Sequence, residues 1–276
     1  GAGPHPAIIS YGPASLPIPS NVASIRFSND GMAEQTNGSS RGKGKFYDLY
    51  GSTHGAGAMM AWAWGVSRII DALESTPSAS IDTTRIGVTG CSRNGKGALV
   101  AGAYDARIAL TLPQESGSGG SACWRVSDYQ KSGGTNVQTL SQIVTENVWF
   151  RSSFSQFGNS ANKLPFDHHL LAGLVAPRGL LMIENTSQTW LGNVSCFQCG
   201  VAARRIWDAL GVSDHMGFSQ SGHPDHCGFP SAQQPELTAY INKFLLGGSD
   251  DTDVLKTDGG FTFDETRWVD WDTPEL

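Results

Sequence analysis

Charge is scarce in this chain, and none of it is gathered into a basic face. Only 16% of the 276 residues are Asp, Glu, Lys or Arg, and the formal net charge is −6. That balance leaves no electrostatic footprint for nucleic acid and no attraction to an anionic membrane surface. Long hydrophobic runs are lacking too. The stretch from Ala56 to Leu73 comes nearest, but Arg68 and Asp71 interrupt it, so it reads as a buried helix and not a membrane span. No internal repeat period is present. What remains is 39% apolar residues, enough for a core and too many for a disordered chain, at a length that α/β folds often use as one domain.

Five cysteines (Cys91, Cys123, Cys196, Cys199 and Cys227) and three N-x-Ser/Thr sequons at Asn37, Asn185 and Asn193 accompany this low charge. Together they place the expected location outside the cell, where disulfides persist and asparagines can carry glycans.

Short β-rich runs alternate with helical patterns. Strands are expected near Pro6–Tyr11, Val22–Phe27, Arg85–Thr89, Arg107–Leu112, Gly179–Glu184 and Met216–Gln220. Helices are expected near Ala56–Glu74, Lys96–Tyr104, Val137–Phe150, Asp167–Val175, Gly200–Leu210 and Gln233–Leu246. Strands apolar on both faces and separated by helices predict a mostly parallel sheet with helices on both faces, a three-layer α/β sandwich. The first strand pattern begins almost at once, with nothing ahead of it to cover a sheet edge. Residues 1–246 read as one catalytic domain. Residues 247–276 turn acidic and loop-like, yet Phe261, Phe263, Trp268 and Trp271 recur there, so this segment is expected to pack back on the same domain.

The most informative stretch is Arg85-Ile-Gly-Val-Thr-Gly-Cys-Ser-Arg-Asn-Gly-Lys-Gly97. A β-branched strand runs into Gly90-Cys91-Ser92, then a glycine-bearing turn, then a helix. A serine at such a turn stands above the strand end, with helix N-terminal amides aimed at any oxyanion formed there. The pattern departs from G-x-S-x-G, because Asn94 holds the second glycine position and Gly95 follows. An ordinary helix N-cap serine is the competing reading. A phosphate loop does not fit, since Gly97 follows Lys96 where a Ser or Thr would stand.

A nucleophilic serine needs a base, and the base needs an acid to orient it. In hydrolases of this type the histidine comes late, on a loop after the last strand. Gly222-His-Pro-Asp-His-Cys-Gly228 occupies that place and offers His226 or His223. For the acid, Glu184 ends the strand that the general pattern favours, whereas Glu115 follows one strand earlier. Cys91 precedes Ser92 and Cys227 follows His226. If serine and histidine meet, their neighbours fall within disulfide reach, which predicts a Cys91–Cys227 bridge.

These residues resemble a known family. Gly90-Cys-Ser-Arg-Asn-Gly-Lys-Gly97, the Gln114–Glu115 pair and the late His226-Cys227 are similar to the landmarks of fungal glucuronoyl esterases, carbohydrate esterase family fifteen, over about Pro6 to Leu246. The resemblance implies an α/β-hydrolase fold and a serine esterase without metal or organic cofactor. Its substrate would be the ester joining 4-O-methyl-glucuronic acid of glucuronoxylan to lignin alcohols, and its expected form is a monomer. It selects Glu115 as the triad acid and His226 as the base. It also assigns Arg93 to the oxyanion hole, and Lys96, Gln138, Glu146 and Trp190 to the sugar. Gln138 and Glu146 would lie two turns apart on one helix face if their segment is helical.

The resemblance further implies a Cys123–Cys199 disulfide, leaving Cys196 as an extra thiol. A further N-terminal portion usual in the family, with early strands and a cysteine pair, has no counterpart, so the chain reads as N-terminally short. The competing functions are another secreted carbohydrate esterase, acting on acetyl xylan or feruloyl esters, and a non-catalytic carbohydrate-binding protein on a hydrolase scaffold.

Overall fold

The computed structural model describes residues 3–274. Seven strands form one sheet: β1 (His5–Tyr11), β2 (Ala23–Phe27), β3 (Ile81–Cys91), β4 (Ile108–Gln114), β5 (Gly179–Glu184), β6 (Met216–Gln220) and β7 (Leu255–Thr257). Their order is β2-β1-β3-β4-β5-β6-β7, and every neighbouring pair is parallel. Parallel pairing requires crossovers, and the helices supply them. These are α1 (Asn29–Met32), α2 (Lys45–Tyr50), α3 (Ala58–Glu74), α4 (Arg93–Tyr104), α5 (Trp124–Ser132), α6 (Leu140–Glu146), α7 (His168–Gly173), α8 (Asn193–Ala209), α9 (Gln234–Leu245) and α10 (Glu265–Trp268).

The strands show why the sheet is covered on both sides. All six residues of β5 are buried. Leu181 and Ile183 turn to one face, where they join Leu237, Tyr240, Ile241 and Leu245 of α9. Leu180 and Met182 turn to the other face, against Phe197, Ala203 and Trp207 of α8. In β1, Ala7, Ile9 and Tyr11 join Trp62 and Val66 of α3, while Ile8 joins the α9 side. A strand apolar in both parities is stable only between two helical layers. The expected three-layer α/β sandwich is therefore the observed one. β1 lies inside the sheet, between β2 and β3, and not at its edge.

Two of the expected helices differ most in their bounds. The segment expected to be helical over Val137–Phe150 is helical only over α6, which a Thr139–Gln142 capping box opens. Past Glu146 the chain turns extended at Asn147, and the carbonyls of Val148 and Trp149 accept from the amides of Ala58 and Met59. Those amides belong to the first turn of α3 and have no partner within their own helix, so the extended segment satisfies what a longer α6 would leave open. α8 starts seven residues before the expected Gly200, which places Cys196 and Cys199 both on a helix.

Residues after α9 add β7 to the sheet edge and then cross the α8 side. Phe261 and Phe263 pack on the α8 cluster, and Trp268 lies against Cys123, Val126 and Cys199. Gln198 of α8 donates to the Thr262 carbonyl and accepts from the Asp264 amide. Residues 275 and 276 lie outside the described residues. Among the described residues, no helix is long and apolar enough to cross a membrane.

Candidate active site

The carboxyl ends of β3, β4, β5 and β6 lie side by side, with Cys91 beside Gln114, Gln114 beside Ile183, and Glu184 beside Gln220. The residues following each strand therefore meet along one rim, the usual place for sites in parallel α/β sheets. Ser92 follows β3 and caps α4 with φ 59° and ψ −125°. A non-glycine residue in that region is strained, and the structure holds it there: the Ser92 amide donates to the Gln114 carbonyl at 2.9 Å. The turn explains the departure from G-x-S-x-G. A Cβ on Gly90 would fall 2.6 Å from the Asn94 carbonyl group, and one on Gly95 would fall 2.6 Å from the Gln114 oxygen. Close packing of helix on strand thus demands glycine at 95, one place later than the general pattern. α4 presents its first amides at Ser92, and the Arg93 side chain stands exposed with its guanidinium 5.5 Å from the Trp149 ring centre.

Glu115 follows β4, fully buried at 1% exposure, with φ 42° and its amide bonded to the Ile183 carbonyl. Its Oε2 pairs with His226 Nδ1 at 2.7 Å, and its Oε1 accepts from the Cys227 amide at 3.1 Å. A carboxylate accepts only, so Nδ1 is the donor in this pair, the arrangement that leaves Nε2 of a neutral ring as the acceptor. Of the alternatives open in the sequence, His226, not His223, has an acid on Nδ1, and Glu115, not Glu184, is that acid.

Cys91 and Cys227 are bonded, with Cα atoms 5.7 Å apart, so a covalent link joins the residue before Ser92 to the residue after His226. The His226 ring and both sulfurs lie within 4.8 Å of one another. With both sulfurs spent in the disulfide, that trio offers no thiolates to a metal.

Behind the Glu115–His226 pair lies a buried polar cluster. Lys96 is 2% exposed and donates from Nζ to the Ser116 carbonyl at 2.6 Å. Burial pushes its pKa down to about 8, against the opposing pull of Glu146 and Glu184. Glu184, 2% exposed, accepts from the Ser116 amide at 3.1 Å. Burial pushes its carboxyl up to about 7, although hydrogen bonds from Ser121 and Ser116 work the other way. Cys196 is a buried free thiol against Glu184, and burial, then that carboxylate, raises its pKa well above the ordinary thiol range. Cys123 and Cys199 form the second disulfide.

The expected sugar contacts gather at the same rim. Gln138 lies two residues ahead of α6, so it does not share a helix face with Glu146. The two are nevertheless joined, Gln138 Nε2 donating to Glu146 Oε2 at 2.8 Å. The Gln138 amide donates to the Trp190 carbonyl, which ties this pair to the loop after β5. Trp190 is 37% exposed, and its ring meets the His226 ring edge-on at 5.3 Å. Trp149 is a site neighbour that the sequence does not announce. It packs beneath both Arg93 and Lys96, and its only trace in the sequence is the apolar Val148-Trp-Phe150 run after Glu146. An apolar cleft of about 570 Å³ shares Trp149 but is lined by none of Ser92, Glu115 and His226.

Two sequons need correction. Asn185 is 2% exposed and donates its amide to the His223 carbonyl, and Asn193 is 7% exposed and donates to the Thr186 carbonyl. The nitrogen that would carry a glycan is engaged in both, which leaves Asn37 as the exposed candidate.

Residues 1–211 match the family model described as glucuronyl esterase, fungi. The chain is 62% identical to a 4-O-methyl-glucuronoyl methylesterase of Hypocrea jecorina over 276 residues, which is all of this chain and 59% of that protein. The chain thus spans just over half the length of that curated relative. Among solved structures, the catalytic domain of a glucuronoyl esterase from Hypocrea jecorina superposes with a TM-score of 0.97 at 61% identity, covering 100% of this chain and 75% of that one. A serine-to-alanine mutant of the glucuronoyl esterase from Sporotrichum thermophile, in complex with methyl 4-O-methyl-β-D-glucopyranuronate, superposes with a TM-score of 0.94 at 54% identity, covering 97% and 73%.

Proposed function

Since the chain belongs to the fungal glucuronyl esterase family, we propose that it is a serine esterase that hydrolyses esters of 4-O-methyl-glucuronic acid on glucuronoxylan, with lignin alcohols on the other side of the bond. The observation that carries this reading is the Glu115–His226 pair, locked by the Cys91–Cys227 disulfide beside a strained serine at a helix N-terminus.

The cycle begins with the ester carbonyl placed over the first amides of α4, with Arg93 adding positive charge where the oxyanion forms. His226 Nε2 takes the Ser92 proton as Oγ attacks the carbonyl carbon. The tetrahedral intermediate collapses, the ester C–O bond breaks, and His226 returns the proton to the departing alcohol. That leaves a glucuronoyl ester on Ser92. Water attacks it with His226 again as base, the acyl C–O bond to Ser92 breaks, and His226 passes the proton to Oγ, which releases the uronic acid and restores Ser92. Water is the only co-reactant the balance needs. Throughout, Glu115 holds the imidazole in its reactive tautomer and offsets its charge when protonated.

Recognition of the sugar falls to Lys96, Gln138, Glu146 and Trp190. The Gln138–Glu146 pair offers donors and acceptors to hydroxyls, and Trp190 offers a flat face beside His226. A site of this kind disfavours substrates that leave its polar groups unmatched. The bound methyl 4-O-methyl-glucopyranuronate in the Sporotrichum thermophile structure supports the uronate ester class. The lignin alcohol rests on the family resemblance. The proposed setting is extracellular, supported by two disulfides and an exposed sequon at Asn37, and the proposed form is a monomer.

A substrate panel tests the class. Release of glucuronic acid from benzyl glucuronate, well above any release from acetylated xylan or methyl ferulate, is the expected result. Hydrolysis of the acetyl or feruloyl ester alone would replace this reading with that of another carbohydrate esterase. Binding of glucuronoxylan with no ester turned over would leave a non-catalytic carbohydrate-binding protein.

A further inference from the structure

Glu115 faces two histidines. Its Oε2 serves His226, while His223 Nε2 lies 3.3 Å from Oε1, the oxygen that also accepts from the Cys227 amide. A carboxylate at 1% exposure depends on protein groups for its second oxygen, so the groups around that oxygen decide how it is oriented. The geometry points to His223 as a positioning residue for the triad: it braces the far side of Glu115 so that the near side stays aimed at His226 Nδ1.

Three features hold His223 in that place. Asn185 clamps its backbone from both sides, accepting from the His223 amide at 3.2 Å and donating to its carbonyl at 3.0 Å. Asn185 Oδ1 also takes the Ser187 amide at 2.9 Å, which fixes the clamp to the loop after β5. On the ring's other side stands Gly228, where an added Cβ would fall 3.2 Å from His223 Nδ1. The ring is thus wedged between a glycine and the carboxylate, with a side-chain exposure of 11%. Across the site Glu184 presses its own partial negative charge toward Glu115, and Asp225 sits on the same loop as both histidines. A second imidazole on Glu115 places a polar ring atom at Oε1 without competing for Oε2. The Asn185 sequon therefore serves an interior purpose, as the clamp for this brace.

The inference rests on the esterase reading, and its test separates the two. His223→Leu removes the polar contact, and His223→Gln keeps an N–H near the same point. The expected result is a fall in kcat of roughly tenfold to a hundredfold in the leucine variant, with KM for benzyl glucuronate within about twofold and most of the rate restored in the glutamine variant. Proton NMR on the unliganded proteins gives a second readout. The His226 Nδ1 proton should resonate far downfield in wild type, stay there in His223→Gln and move upfield or broaden in His223→Leu. A leucine variant with unchanged kcat and an unmoved resonance would overturn the assignment. So would equal losses in both variants with the resonance unmoved, because that pattern belongs to a loop that folds less well. Should the leucine variant fail to fold, Asn185→Ala replaces it with the same two readouts. The NMR comparison needs no substrate, so it decides the brace even if wild type hydrolyses no glucuronate ester.

Discussion

Replacing Glu184 by glutamine should stabilise this protein at alkaline pH relative to acid pH, and the size follows from the buried carboxyl. Its pKa is 4.5 when unfolded and about 7 in the folded protein, raised chiefly by burial. A raised folded pKa means the native state binds a proton that the unfolded chain releases. Stability from that proton is fully present below about pH 4.5 and is lost as pH rises through about 7. A tenfold difference in proton affinity between the two states is about 1.4 kcal/mol, so wild type should lose about 3 kcal/mol between pH 4.5 and pH 8 through this group alone. Glutamine is neutral throughout and fills a similar space, so it cannot show that loss. Urea unfolding at both pH values, with disulfides intact and followed by tryptophan fluorescence, measures the difference. The double difference, wild type minus variant, pH 4.5 minus pH 8, should be about 3 kcal/mol. A double difference near zero would refute the claim that this carboxyl holds its proton near neutrality. The same variant should keep most of its esterase rate, because Glu184 does not touch His226.

Four further outcomes follow. Glu115→Gln should lower kcat by about 10⁴-fold with little change in fold, since an amide stabilises the wrong imidazole tautomer; steady-state kinetics beside a matched circular dichroism spectrum check this. Replacing Cys91 and Cys227 together with alanine opens a loop with a sequence separation of 136. The chain-entropy model puts that cost at up to about 5 kcal/mol, less because the Cys123–Cys199 loop is nested within it, and denaturant unfolding reads the loss. Gln138→Ala removes the partner of Glu146 and should reduce kcat/KM on glucuronate esters by roughly tenfold to a hundredfold. Lys96→Met should narrow the stability difference between pH 8 and pH 10.5, because the lysine pKa is depressed to about 8 by burial. Across that window the native lysine has given up its proton while the unfolded lysine still holds one, so the native state of wild type gains on the unfolded chain as pH rises, and methionine cannot.

Much of this is legible in the sequence, for reasons that particular elements make clear. β5 and β6 can be read with their observed bounds because continuous apolar runs ended by turn residues are unambiguous when helices flank them. The Cys91–Cys227 bridge follows from chain neighbours of two residues that have to meet. Legibility fails where tertiary contacts override local pattern. α6 stops at Glu146 because α3 needs carbonyl partners, and no periodicity in Val137–Phe150 carries that demand. The sequons at Asn185 and Asn193 look like surface sites because a three-residue motif says nothing of burial. Lys96 reads as a residue of a first helical turn, yet its ammonium lies over the Trp149 ring and donates to the Ser116 carbonyl, with Glu146 and Glu184 nearby. The choice between Glu115 and Glu184 turns on a 2.7 Å contact that spans 111 residues of sequence.

The most direct test of the central claim is the release of glucuronic acid from benzyl glucuronate by wild type and by Ser92→Ala, with folding of the two matched by thermal denaturation. Wild type should turn over steadily, and the variant should lose at least about 10³-fold, keeping only what the oxyanion site supplies. Turnover by the variant at a rate close to wild type would contradict that claim, because the covalent cycle has no step that runs without the Ser92 oxygen.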